Sequence, residues 1–579
     1  MVSTAPLAPK VPLAAPVAPG GARPRFLLPS VLLTAVLGFL LLVVGGGPGF
    51  TLDELALLAQ VDSLEAGSWT TPHPYPAVDP DLVAYPDHLA ALTDSGFSAY
   101  PKHPLVPLVL LESRSVAGDL GPWLVVLLGH VAAAVTIARV VRRVVPRWAM
   151  AAFWLAGLGS PLLLHAFVLW MHGWAIALAA LATECALVVH DRLGRARLPV
   201  GWTAAMLVPV GLLPFVRTEG LLFAGALGGA LGFEGLRRRC PRAVLLGAFV
   251  VGAGMAAKIL ESRWIASLVG SLRPTTPDPS AHLGWVQGRV SAVLLNLLLA
   301  GYRPSTLLLV AAATTLLLAA GWWCRRGAPG REIQGLAIGG AVLSAVALHL
   351  PSAGPVPGFV PGLPLLIVPL LLGRPRRHPA EGLLVPLVVL MLLAVALTAY
   401  PGGGGADWGG RYALLCVPPL AALAALRLEG QAALVGRRVA VTVLGALVIA
   451  TAVSGPAVVR FVGRSVEGLQ DQRTAIDRRL AAVAVDPAVD RPVAIAEDPR
   501  LGRMLAMEPG RVAGLRAETT DALVPLLRRL DAGGTPEVLL VRYDDLEEPD
   551  LAAIRDSGWL VGPREDVPAG VRFYALGRA

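Results

Sequence analysis

The chain has 579 residues, 55% of them hydrophobic and 15% charged, with a mean hydropathy of +0.65. A soluble domain carries about a quarter charged residues, so this balance excludes an ordinary soluble enzyme and predicts a polytopic membrane protein. The net charge of +9 does not point to nucleic acid, because the arginines stand in short clusters between apolar runs, where they act as topology signals.

Residues 1–24 are rich in Pro and Ala and read as a disordered cytoplasmic tail with positive flanks. Phe26 to Val44 is the first span. A long tail precedes it and no small-residue cleavage site stands out, so it reads as an uncleaved anchor. Residues 46–104 form a polar loop rich in Pro, Asp and Tyr, with Leu55–Leu64 expected as a short amphipathic helix on the membrane surface. A second span is expected from Trp123 to Val140. Further spans are expected near 149–169, 172–190, 200–216, 218–235, 243–260, 304–323, 332–350, 359–373, 381–400, 411–427 and 438–458. The short apolar run Val290–Leu299 reads as interfacial or re-entrant.

Basic clusters recur in alternate loops, at Arg139/Arg142/Arg143/Arg147, Arg192/Arg195/Arg197, Arg237/Arg238/Arg239/Arg242, Arg325/Arg326/Arg331, Arg374/Arg376/Arg377 and Arg427/Arg437/Arg438. That alternation predicts about thirteen spans with a cytoplasmic N-terminus, so the first loop and the C-terminal region face outward. The transmembrane domain is then 25–458. Residues 459–579 turn soluble in composition. Strands are expected at Pro492–Ala496, Glu537–Arg542, Trp559–Val561 and Val571–Leu576. Helices are expected at Leu501–Met507, Thr520–Leu530 and Pro549–Ser557. The alternation predicts a small extracytoplasmic α/β domain. Cys185, Cys240, Cys324 and Cys416 all lie in or beside spans, so they imply no disulfide framework.

Few residues here can carry chemistry. Asp53 and Glu54 open the first loop, where a carboxylate can meet both a lipid headgroup and a soluble acceptor; the plainer alternative is two solvated acids at an interface. Lys102, His103 and Pro104 close it. A cation there can neutralise a departing phosphate or simply pair with lipid headgroups. Asp407-Trp408-Gly409-Gly410-Arg411-Tyr412 follows the glycine run Gly402–Gly405 in a loop on the same side, and the Arg411 fork suits a phosphate. Arg217 and Glu219 sit between two spans on that side, either functional or a mutual ion pair; Lys258, Glu261 and Arg263 end another. Glu184, His165 and His172 read as residues hydrogen-bonded to neighbouring helices. No His-x-x-x-His or Cys-x-x-Cys pattern is present, which argues against a transition-metal site.

The acidic pair after span one, the Tyr-Pro-Lys-His-Pro-Leu segment at 100–105, Gly157–Leu169, Arg217-Thr218-Glu219-Gly220 and Trp408–Tyr412 together resemble the GT-C membrane glycosyltransferases. Within that group they resemble more closely the bacterial relatives of the protein O-mannosyltransferases and aminoarabinose transferases. The resemblance covers about residues 25–430 and implies a multi-span plasma-membrane enzyme. Such an enzyme moves a sugar from a polyprenyl-phosphate donor to a hydroxyl of a glycan, lipid or protein, usually with inversion. It assigns the catalytic or metal-binding role to Asp53, with Glu54 as alternative or helper, and donor-phosphate binding to Lys102, Arg411, His103 and Arg217. A divalent cation, if one is used, falls to the same two carboxylates; no other cofactor is implied. The rival from another class is a multi-span transporter for a lipid-linked or small polar substrate, against which stand the absence of two matching broken-helix halves and the long outer loop. A non-catalytic membrane scaffold is a third reading.

Overall fold

In the computed structural model the described residues are 26–44, 51–87, 90–94, 96–159, 162–193, 199–274, 284–298, 378–398, 410–434, 437–506, 510–567 and 570–578, with scattered positions between 312 and 366. The tail 1–24, the glycine run and, wholly or largely, the expected spans at 304–323, 332–350 and 359–373 lie outside them.

Helix α1 (Leu27–Val43) buries the i, i+4 stripe Leu33, Leu37 and Leu41 against the bundle and leaves Leu28, Val31, Val36 and Phe39 exposed. An apolar surface of this kind suits hydrocarbon, since a helix satisfies its own backbone groups there. The bundle continues through α2 (Leu52–Glu65), α3 (Leu105–Ala117), α4 (Gly121–Val144), α5 (Ala149–Leu158), α6 (His172–His190), α7 (Val200–Val216), α8 (Glu219–Arg237) and α9 (Pro241–Val269). It resumes, among the described residues, with α10 (Trp285–Val293), α11 (Glu381–Thr398), α12 (Val417–Leu434) and α13 (Arg437–Leu480). Among the described residues, five stretches are long and apolar enough to cross a membrane: Leu105–Val144, His172–His190, Pro241–Val269, Glu381–Thr398 and Arg411–Gly430. Small residues let α8 and α9 press together. A Cβ at Gly228 would lie 2.5 Å from the Gly247 carbonyl oxygen.

Two expectations change in detail. The run 149–169 is not one helix. Helix α5 stops at Leu158 because Gly159 turns extended, with ψ 135°. A 3-10 turn over Leu162–Ala166 follows, and everything from Leu162 to Gly173 is buried. Nor does the first loop's helix lie on a membrane surface. Helix α2 has apolar residues on several sides, and it is enclosed: Leu57 and Val61 join the bundle core, while Leu55 joins the core of the C-terminal region. The segment near 290–299 is α10 followed by a π-helical turn, Leu294–Leu298.

The rest of the first loop forms a small antiparallel sheet in the order β2 (Gly96–Ser98), β1 (Ala91–Thr93), β3 (Arg273–Pro274), which ties it to the end of α9. The C-terminal region carries β4 (Val485–Asp486), β5 (Arg491–Ala496), α14 (Pro499–Ala506), β6 (Ala513–Arg516), α15 (Thr520–Gly533), β7 (Glu537–Arg542), α16 (Glu548–Asp556), β8 (Trp559–Val561), β9 (Glu565–Asp566) and β10 (Arg572–Arg578). Strand β5 runs parallel to β6 and β7, and β10 closes antiparallel on β7.

This sheet is docked on the first loop. Arg503 donates from Nη2 and Nε to Asp87 Oδ1 at 2.6 and 2.8 Å, with both side chains buried. The Arg516 amide donates to the Ala84 carbonyl at 2.9 Å, and the Tyr75 hydroxyl to Asp486 at 3.0 Å.

Candidate active site

The site is built from the N-terminal turn of α2. Thr51 and Glu54 form a capping box: the Glu54 amide donates to Thr51 Oγ1 at 3.2 Å, and the Thr51 amide to Glu54 Oε2 at 2.9 Å. The other Glu54 oxygen accepts from the Leu169 amide at 2.6 Å. Glu54 is therefore fully buried and holds the 162–171 segment against α2. Asp53 stands in the same first turn, where the helix N-terminus favours its charge, but points another way. Its Oδ2 accepts from Arg411 Nη1 at 3.2 Å. The two adjacent carboxylates thus part: one is spent on backbone amides, the other is half-buried beside a guanidinium.

Arg411 opens a 3-10 turn after Gly410, whose φ of 75° and close approach to the Asn296 carbonyl, 2.5 Å from a would-be Cβ, call for glycine. Its guanidinium lies 4.5 Å from the ring centre of Trp170 and 5.2 Å from that of Tyr412. Its Nη2 also donates to the Tyr412 hydroxyl at 3.3 Å.

Lys102 approaches from the end of the first loop and is exposed at the site's mouth. Gln60 on α2 fixes that approach, accepting from the Tyr100 amide at 3.2 Å and from the Ser98 hydroxyl at 3.1 Å. Burial alone would raise the Asp53 carboxyl, but the fields of Arg411 and Lys102, with smaller help from Arg503 and Arg217, hold it below the ordinary carboxylate range.

His103 and Arg217 are engaged elsewhere. His103 is buried with a φ of 45°, and its Nδ1 lies 2.6 Å from Glu261 Oε1 on α9. Its Nε2 meets the Thr218 hydroxyl at 3.3 Å, and Lys258 pairs with the second Glu261 oxygen. Arg217 closes its fork on Glu219, Nε to Oε2 at 3.1 Å and Nη2 to Oε1 at 2.6 Å. Thus Asp53, Lys102, Arg217 and Arg411 share one electrostatic neighbourhood, whereas Glu54 and His103 stand behind it as supports. Trp170 and Asp87–Arg503 were not expected from the residues. An aromatic residue at a break in an apolar run was the available signal for the first.

Among the described residues no three His, Cys, Asp or Glu side chains converge as a metal site. With Glu54 committed to amides and Asp53 to a guanidinium, the donor set here is cationic and fits an anion better than a divalent ion.

No protein-family model and no curated protein matches the sequence. Among solved structures, the chain is similar to ArnT from Cupriavidus metallidurans in the apo state, with 14% identity, a TM-score of 0.47, and coverage of 94% of this chain and 97% of that one. It is also similar to the Archaeoglobus fulgidus oligosaccharyltransferase in complex with Zn and sulfate, at 14% identity and TM-score 0.47, covering 94% and 72%. A third likeness is to ArnT from C. metallidurans bound to undecaprenyl phosphate, at 14% identity and TM-score 0.42, covering 94% and 97%.

Proposed function

We propose that the chain is a membrane glycosyltransferase that moves a sugar from a polyprenyl-phosphate donor to a hydroxyl of a glycan, lipid or protein, with inversion. The observation that carries this reading is the meeting of Asp53 and Arg411 at one site with Lys102 and Arg217 in the same field. Lys102 and the Arg411 fork are the cations beside Asp53 that suit the charge of a phosphodiester, among the described residues.

The residues divide the work as follows. Lys102 and the Arg411 fork hold the donor phosphate and take up its charge as it departs. Arg411 turns from Asp53 to that phosphate, which frees the carboxylate and raises its proton affinity. Asp53 accepts the proton of the acceptor hydroxyl. The hydroxyl oxygen forms its bond to the anomeric carbon from the face opposite the phosphate. The bond from that carbon to the phosphate oxygen breaks, and its electron pair leaves on the lipid phosphate. Lipid phosphate is a good leaving group, so the step asks for no strong general acid. Glu54 and His103 position Asp53 and Lys102, and no step is assigned to a metal.

The charged ends of the helices support an outward-facing site. Helices α4, α6, α8 and α12 all begin at the site end. At their far ends lie Arg142 and Arg143, Arg192, Arg237 to Arg239, and the pair Arg147–Glu429. By the positive-inside rule that end is cytoplasmic, so the site and the C-terminal domain face outward across the plasma membrane through about thirteen spans.

The test is a donor-cleavage and transfer assay on the purified protein in lipid nanodiscs, with a panel of undecaprenyl-phosphate sugars. Turnover of at least one donor is expected. A folded protein that cleaves none of them would overturn the reading.

A further inference from the structure

Two histidines of the buried 162–173 segment remain outside the roles assigned so far. His165 and His172 are 2% and 3% exposed, and their ring centres lie 4.3 Å apart. His165 Nδ1 and His172 Nε2 are both buried and have no hydrogen-bond partner among the described residues. The sequence reading expected each ring to be satisfied by a neighbouring helix. The nearby His130 is held in this way, with its Nε2 2.9 Å from the Gly157 carbonyl oxygen. The other two are not. A buried polar atom without a partner is costly, so a pair of them calls for a reason.

The rings are held firmly. Glu54 fixes the segment through the Leu169 amide, and the Trp174 indole donates to the Val125 carbonyl at 2.9 Å. A Cβ at Gly173 would lie 2.6 Å from the His130 amide nitrogen, so the start of α6 packs closely on α4. Their place relative to the site is also fixed. Trp170 lies 5.5 Å from His172 and 6.2 Å from His165, ring centre to ring centre, and Arg411 sits over Trp170 while bonding Asp53. Arg217 and Arg411 are both within electrostatic reach of the two rings.

We propose that His165 and His172 form the hydrogen-bonding wall of a subsite for the donor's sugar ring, and that this sugar is uncharged. The assignment rests on the polyprenyl-phosphate reading and names its substrate class. Imidazole nitrogens can each give or take one hydrogen bond, which suits hydroxyl groups. The aromatic rings beside them suit the apolar C–H face of a pyranose or furanose. The guanidinium groups repel an ammonium, so an amino sugar is the wrong occupant.

The experiment measures binding to the full chain in nanodiscs with three probes: undecaprenyl phosphate, its neutral glycosyl esters (glucosyl, mannosyl and arabinosyl), and an amino-sugar ester. Wild type is expected to bind at least one neutral ester about tenfold or more tighter than the bare phosphate, and tighter than the amino-sugar ester. His165→Phe and His172→Phe are expected to remove most of that advantage and leave bare-phosphate affinity unchanged. His172→Asn, which keeps a polar group, is expected to keep part of it. Thermal unfolding of each variant checks that it is folded; should the Phe variants not fold, His172→Asn and His165→Asn carry the test. Variants that bind every lipid as wild type does would show that water alone serves the two nitrogens and would overturn the assignment. So would an equal loss for bare and glycosylated phosphate, or a preference for the amino sugar. A wild-type protein that does not bind undecaprenyl phosphate at all would overturn the donor reading itself, and this subsite with it.

Discussion

Arg411 reaches Asp53 across 358 positions of chain, Nη1 to Oδ2 at 3.2 Å, while its guanidinium lies over Trp170. One residue therefore joins the first loop, the buried segment before α6 and the start of α12. It also sets the state of the carboxylate. Removing it changes both the binding of an anion and the basicity of Asp53.

The pH dependence follows with a definite sign. Asp53 sits below the ordinary carboxylate range because the Arg411 and Lys102 charges outweigh its burial. In Arg411→Gln the burial term faces less opposition and the Asp53 pKa rises. The acid limb of the transfer rate, measured against pH, moves upward in the variant, and the KM for donor rises by about tenfold. An unmoved acid limb would separate Asp53 from the rate-limiting protonation.

Asp53→Asn keeps the shape of the side chain and removes the base. Transfer falls by about a hundredfold or more, with donor affinity and thermal unfolding close to wild type. Normal turnover in this variant would reject Asp53 as the base.

Glu54→Gln gives the opposite profile. Its two oxygens accept from the Thr51 and Leu169 amides, and an amide side chain can serve only one of them well. The unfolding midpoint falls by an amount equivalent to about 1–3 kcal/mol, while turnover per folded molecule drops less than in Asp53→Asn. Differential scanning fluorimetry and the transfer assay together read this out.

The buried Asp87–Arg503 pair predicts strong coupling between the first loop and the C-terminal sheet. Asp87→Leu or Arg503→Met alone leaves a buried charge without its partner and destabilises by about 3–5 kcal/mol; the double variant recovers much of the loss. Limited proteolysis of the C-terminal region across the four proteins of this cycle measures it.

Asp79 supplies a test in acid. Burial raises its carboxyl, but the His73 ring and the amides of Ala84 and Val83 outweigh that and hold it below its ordinary value. A depressed carboxyl adds stability above the unfolded pKa and loses it as pH falls through the lower folded one. Asp79→Asn is therefore less stable than wild type at neutral pH, and the two unfolding midpoints converge below about pH 4.

Much of this was legible in the residues because the polar groups are so few. Asp53, Lys102, Arg217 and Arg411 stand out in an apolar chain, and their clustering in three-dimensional space follows from helix ends on one side. The strands Glu537–Arg542 and Trp559–Val561 coincide with their expected limits because their apolar runs are short and flanked by turns. Strand β6, Ala513–Arg516, carries no β-branched residue and was invisible to pattern. Leu162–Leu164 looked like membrane helix because composition cannot reveal a broken backbone. The separation of Asp53 from Glu54 was also hidden. It depends on which backbone amides come near, and Leu169 is 115 positions away.

The length of α13 has a mechanical consequence. Its 44 residues span roughly 66 Å at 1.5 Å per residue. Val458, Val462 and Val466 pack into the bundle, and Ala475, Ile476 and Leu480 into the sheet region. A single rod clamped in both bodies resists any lifting of one from the other. Any relative movement of the two bodies would have to bend α13 between Val466 and Ala475, at the cost of its backbone hydrogen bonds.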